Sequence, residues 1–134
     1  MVLNLFKYVM SFFKQETRTL EKPSPQVFID YPKKSIVLNG KRYTVKGIAD
    51  TNSMDPVFDV GHKAILKTFM NDDIIRGDIL IYKHNKMLIS HRVVKIGMDY
   101  DGIYYICQGD NNFKEDPWKV RKNMIKYILV GVLY

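Results

Sequence analysis

The stretch Ser35-Ile-Val-Leu38, Asn39-Gly40, Lys41-Arg-Tyr-Thr-Val45 constrains the fold of this chain more than any other. Two runs of β-branched, aliphatic and aromatic residues flank a dipeptide that tolerates positive φ at both positions. That is what a type I′ turn requires, so the segment is expected to be a tight β-hairpin. Strand-like runs recur after it at residues 64–67, 79–82, 87–96, 103–107 and 127–133. The polar tip Lys83-His-Asn-Lys86 should join the second and third of these. Helical periodicity is weak after residue 27, although residues 114–126 have room for a turn or two. The expected fold is therefore mainly β.

The front of the chain reads differently. In residues 2–14 the polar members are Asn4, Lys7, Ser11 and Lys14, spaced by three, four and three. On a helix they form one narrow polar stripe with everything else apolar. Such a helix can pack on the protein's own core, on a partner helix, or in a membrane interface with its lysines upward. The wide apolar face and the aromatic content favour the membrane surface. Residues 15–26 are polar and hold Pro23 and Pro25, which push their predecessors out of the helical region, so they read as a linker. The expected division is an amphipathic helix and linker over 1–26 and a β-domain over 27–134.

Length and composition narrow the class. A chain of 134 residues suits one domain with a core of its own. With 46% hydrophobic and 26% charged residues it is no disordered tail. The single cysteine, Cys107, allows no internal disulfide, and with three scattered histidines it does not make a closed zinc site, so neither metal nor organic cofactor is expected. Cys107 lies in an apolar run and reads as a buried structural thiol. The net charge of +7 is uneven: residues 1–46 carry nine Lys/Arg against three Asp/Glu. That basic front suits an anionic membrane surface or plain solvated surface, and no specific nucleic-acid partner is expected. No run approaches the roughly 20 apolar residues of a spanning helix. Nor is the N-terminus a secretory signal, because Lys7 interrupts it and no small-residue cleavage site follows. Peripheral association with a membrane is the expected location.

Three segments carry candidate chemistry. Asp50-Thr-Asn-Ser-Met-Asp-Pro56 is a polar stretch between strands, where reactive groups can be presented. In Ile89-Ser-His-Arg-Val-Val94 a histidine interrupts a strand-like run. Gln108-Gly-Asp-Asn-Asn-Phe-Lys-Glu-Asp-Pro117 holds two aspartates, Asp110 and Asp116, in a loop after a strand. Serine, histidine and aspartate are the parts of nucleophilic acyl transfer. A hydroxyl needs a neighbouring base to attack at neutral pH, imidazole can be that base, and a carboxylate on its other nitrogen fixes the tautomer. His62 and His84 read as surface residues.

These segments resemble the boxes of the signal peptidase I family. Asn52-Ser-Met-Asp-Pro56 is similar to the Ser-Met-x-Pro box that holds the nucleophile, and Arg76-Gly-Asp-Ile-Leu-Ile-Tyr82 to the strand that follows it. Ser90-His-Arg-Val-Val94 has His-Arg where bacterial members have Lys-Arg, as in the archaeal and endoplasmic-reticulum type. Gly109-Asp-Asn-Asn112, followed by Asp116, looks like that type's last box. The resemblance implies a signal-peptidase/LexA-like β-domain and a serine endopeptidase acting on a protein or peptide substrate. It implies Ser53 as nucleophile, His91 as general base and Asp116 as the carboxylate that orients it, with Asp110 a second aspartate of the site. It implies the Ser53 backbone N–H and the Thr51 hydroxyl as oxyanion donors, Met54 along the substrate groove, and Pro56 fixing the turn. Typical relatives carry a membrane-spanning helix before the serine box, where this chain has the amphipathic stretch. Two other readings share the fold: a self-cleaving protease of the LexA type, with residues 15–26 as the cut linker, and a non-enzymatic module that binds peptide or membrane.

Overall fold

The computed structural model describes residues 27–30, 33–48 and 51–134. The helix and linker expected over 1–26 lie outside the described residues. Eight strands form one antiparallel sheet: β1 (Val27–Asp30), β2 (Ser35–Leu38), β3 (Lys41–Gly47), β4 (Lys63–Thr68), β5 (Ile79–His84), β6 (Met87–Asp99), β7 (Gly102–Gln108) and β8 (Ile125–Leu133). The fold is mainly β, as expected. A single 3-10 turn, Lys122–Met124, is the helical element among the described residues.

Local chemistry explains the hairpins. Asn39 and Gly40 have φ of 48° and 77°, the paired positive angles of the type I′ turn. Between β5 and β6 the strands run closer to the tip than expected, and only Asn85 and Lys86 remain as the turn, at φ 46° and 67°. That two-residue turn fixes the register, placing Leu80 opposite His91 and Tyr82 opposite Ile89.

The strand order is β1-β2-β3-β4-β8-β5-β6-β7. The last strand therefore lies between β4 and β5 and joins the two halves of the sheet. One half packs around Ile36, Leu38 and Ile65. The other packs around Leu80, Tyr82, Val93, Tyr105, Cys107 and Val120, with Trp118 and Ile89 against it. Register shifts fall at Ile81/Tyr82 and at Val93/Lys95. Such bulges kink a strand and re-aim its side chains, and these two flank the segment that carries His91.

Candidate active site

His91 lies on the core face of β6. Burial along Met87, Ile89, His91 and Val93 increases in step with the two-residue period of the strand, and His91 is only 8% exposed. Its Nδ1 is 2.8 Å from Oδ2 and 3.0 Å from Oδ1 of Asp116. An ionised carboxylate can only accept, so in the neutral ring Nδ1 carries the proton and Nε2 keeps its lone pair.

Asp116 reaches this place because the chain turns back after β7. Its own N–H donates to the Cys107 carbonyl at 2.8 Å, closing the loop between them. Like His91 it is 8% exposed. An unpaired carboxylate at that depth would be strongly destabilising, so its partners decide whether the arrangement holds. It has two: the His91 Nδ1–H, and the Tyr82 hydroxyl, which donates to Oδ2 at 2.6 Å. Burial, and then the adjacent Asp116 carboxylate, push the Tyr82 phenol well above its ordinary range, so it remains a donor. The same two causes push the neighbouring Cys107 thiol up to about 12. Cys107 is fully buried, as the sequence implied.

Ser53 is on a loop rather than a strand. Thr51 and Asn52 are exposed, Ser53 is half-buried, and Asn52 takes a positive φ of 53°. The loop is held from below and from the side. Met54, expected along a substrate groove, instead turns inward and packs with Phe58 and Ile79 at 2% exposure. The strand period that places side chains in or out does not govern a loop, and a large apolar side chain is better buried. Beside it, Asn111 N–H donates to Ser53 O at 2.9 Å and Asn111 Nδ2 to Asn52 O at 3.0 Å. Asp110 N–H lies 3.4 Å from Met54 Sδ.

Gly109 makes this approach possible: a Cβ there would sit 2.5 Å from Ser53 O and 2.7 Å from Asn112 Nδ2. The segment after β7 thus serves both sides, tying down the Ser53 loop through residues 109–111 and delivering Asp116 to His91. Sequence reasoning assigned no task to Gly109, Asn111 or Tyr82. A glycine directly after a strand, followed by two asparagines, was the available signal for the first two.

The remaining candidates separate. Asp110 does not meet His91. It accepts from Arg92 Nε at 2.8 Å and Nη2 at 2.7 Å, a two-point clamp on the outer side of β6. That pairing raises the Arg92 pKa further, outweighing the desolvation that acts to lower it. The Ser53 hydroxyl is 3.2 Å from the Thr51 hydroxyl, and no hydrogen bond joins it to His91. His62 and His84 are half-buried rather than surface residues. His62 Nδ1 accepts the Asp59 N–H and its ring meets Tyr134 edge-on, while His84 stacks on Trp118. Among the described residues no group of three or more His, Cys, Asp or Glu is arranged to hold a metal. No helix among them is long and apolar enough to cross a membrane.

Comparison with known proteins gives one kind of relative. The chain is 33% identical over 84 residues to the signal peptidase complex catalytic subunit SEC11C of human, dog and mouse. The match covers 60% of this chain, and the chain spans 43% of the length of those relatives. No family model matches, and no solved structure does. Over part of its length the chain is thus similar to signal peptidase catalytic subunits.

Proposed function

We propose that this chain is a serine endopeptidase of signal-peptidase type, which cuts a preprotein or peptide after a small residue through an ester on Ser53. The observation that carries the reading is the shared segment after β7, which holds the Ser53 loop and brings Asp116 onto His91. Two loops and a strand distant in sequence are tied together in this way, which supports reading Ser53, His91 and Asp116 as one acyl-transfer site.

In this mechanism Ser53 Oγ bonds to the scissile carbonyl carbon as its proton passes to His91 Nε2. The negative oxygen so formed is met by the Ser53 backbone N–H and the Thr51 hydroxyl. Removing one such donor typically costs about 10²–10³-fold in kcat. Collapse of the intermediate breaks the C–N bond, and the leaving amine takes the proton from Nε2. Water then attacks the ester with His91 again as base, releasing the new carboxyl end and restoring Ser53. Asp116 holds the ring with Nδ1–H toward itself and balances the imidazolium. In the resting state Ser53 Oγ pairs with Thr51. Substrate binding has to bring it onto Nε2, as the hydrogen bonds of such sites commonly tighten only in the complex.

The substrate is a protein segment in extended form, added as a strand beside the site, the mode that a sheet with a free edge offers. Membrane attachment through residues 2–14 belongs to the same proposal. The test is cleavage of a preprotein with a small-x-small cut site in detergent micelles, read by intact mass. Wild type should cut and Ser53→Ala should lose the activity by about 10³-fold or more. A Ser53→Ala protein that still cuts at the wild-type rate would overturn the assignment. Loss of the chain's own residues 15–26 in place of preprotein cutting would point to self-cleavage.

A further inference from the structure

Tyr82 is fully buried in the larger core cluster, diagonal to His91 across the β5–β6 ladder. Phenylalanine would fill the same space. A tyrosine at such a depth needs a partner for its hydroxyl, and here that partner is the Asp116 oxygen that also faces His91, at 2.6 Å against 2.8 Å. A carboxylate with one donor can rotate about its last bond and exchange its oxygens. With a second donor on Oδ2 from β5, it is pinned from two strands at once. The register shift at Ile81/Tyr82 falls at this residue, where the β5 backbone leaves its regular pairing with β8.

We propose that Tyr82 is a positioning residue: its hydroxyl fixes the Asp116 carboxylate so that His91 is held with Nδ1 donating and Nε2 free to take a proton. The inference rests on the acyl-transfer reading above for its functional meaning, but its geometry does not depend on that reading. The other groups around the dyad leave this role to Tyr82. The Cys107 thiol, from β7, is neutral at working pH. The indole of Trp118, from the following loop, packs on the same cluster; its Nε1–H makes no hydrogen bond to Asp116 and acts weakly on the Tyr82 hydroxyl. The Arg92–Asp110 pair is engaged with itself and with the Gly77 carbonyl. A filler role for Tyr82 would need the ring alone, and a purely structural hydroxyl would leave the His91–Asp116 bond unchanged on removal.

The experiment follows the His91 Nδ1–H proton resonance by NMR in the full chain, without substrate, assigned by its absence in His91→Gln. Tyr82→Phe keeps the ring and removes the donor. Its Nδ1–H resonance should move upfield and broaden, because the unpinned carboxylate can rotate out of line and holds that proton less firmly. In an Asp116→Asn background, where Nδ1 no longer carries the proton, the His91 ring-nitrogen resonances should not respond to the same Tyr82→Phe change, since the effect passes through that carboxylate. With substrate, kcat should fall by about tenfold at little change in KM. An unmoved resonance in Tyr82→Phe overturns the proposal, as does an equal shift in both backgrounds. Failure of the peptidase reading shows elsewhere, as cutting that survives Ser53→Ala, and leaves the resonance result to decide the role of Tyr82.

Discussion

The two sides of the candidate site are built in different ways. On the His91 side strand pairing sets all but one group, with Leu80 opposite His91 and Val93 opposite Cys107, and a backbone bond ties Asp116 to the Cys107 carbonyl. His91, Asp116, Tyr82 and Cys107 are all buried there. On the Ser53 side the polypeptide is an exposed loop, fixed by the inward packing of Met54 and by bonds from Asn111. Sheet register is cooperative and tolerates no partial slip, because a shift of one residue turns every side chain over. A loop held by a few bonds can be loosened locally. The base side should therefore answer mutation through chemistry, and the serine side through placement.

The largest effect expected separates the two aspartates. Asp116→Asn presents an amide to Nδ1, favours the wrong tautomer, and should lower kcat by about 10³–10⁴-fold with KM little changed. Asp110→Asn loosens only the clamp with Arg92 and should cost about tenfold, through less exact placement of the Ser53 loop. Preprotein cleavage rates for both variants test this, and equal losses would break the division. Next in size is Gly109→Ala, whose Cβ would meet the Ser53 carbonyl oxygen at 2.5 Å. That oxygen is backbone and cannot swing aside, so the two loops must part. Activity should drop by about 10²-fold, while an unfolding curve should show about 1–3 kcal/mol of overpacking. If activity survives, the apposition of the two loops is not what places the serine.

The same division explains what could be read from the residues. The Asn39-Gly40 hairpin was legible because its cause is local: two residues tolerating positive φ between two apolar runs. So was the burial of His91, once its run was recognised as a strand. The insertion of β8 between β4 and β5 was not, since pairing between residues from 43 apart (Tyr82 and Ile125) to 70 apart (Lys63 and Leu133) leaves no local trace. Asp110 and Asp116 could not be told apart by composition. What separates them is a single backbone bond, Asp116 N–H to Cys107 O, that turns the chain inward after the glycine-asparagine segment. Tyr82 reads in the sequence only as the end of a strand, and its partner lies 34 positions away. Met54 turns inward because it sits in a loop, where alternation gives no guidance.

The smallest effect lies on the same strands as His91 but at their far tip. Asp99 ends β6 and accepts from Arg121 at 2.7 Å and from Lys119 at 2.6 Å. The Arg121 bond first, and then that of Lys119, hold its carboxyl well below the usual 3.8. A folded-state pKa below the unfolded value means that the unfolded chain binds the proton more readily. The stabilisation is thus fully present above the usual carboxylate range and fades as pH falls through it toward the lowered value. The group is partly open to solvent and screened, so the contribution should be modest and should shrink with salt. Urea midpoints across the acid range should fall less steeply for Asp99→Asn than for wild type, while cleavage at neutral pH stays the same. A neutral-pH loss of cleavage in Asp99→Asn would mean that the tip of the β6–β7 ladder transmits to His91. The base side would then depend on the whole length of its strands rather than on the pairs around the dyad.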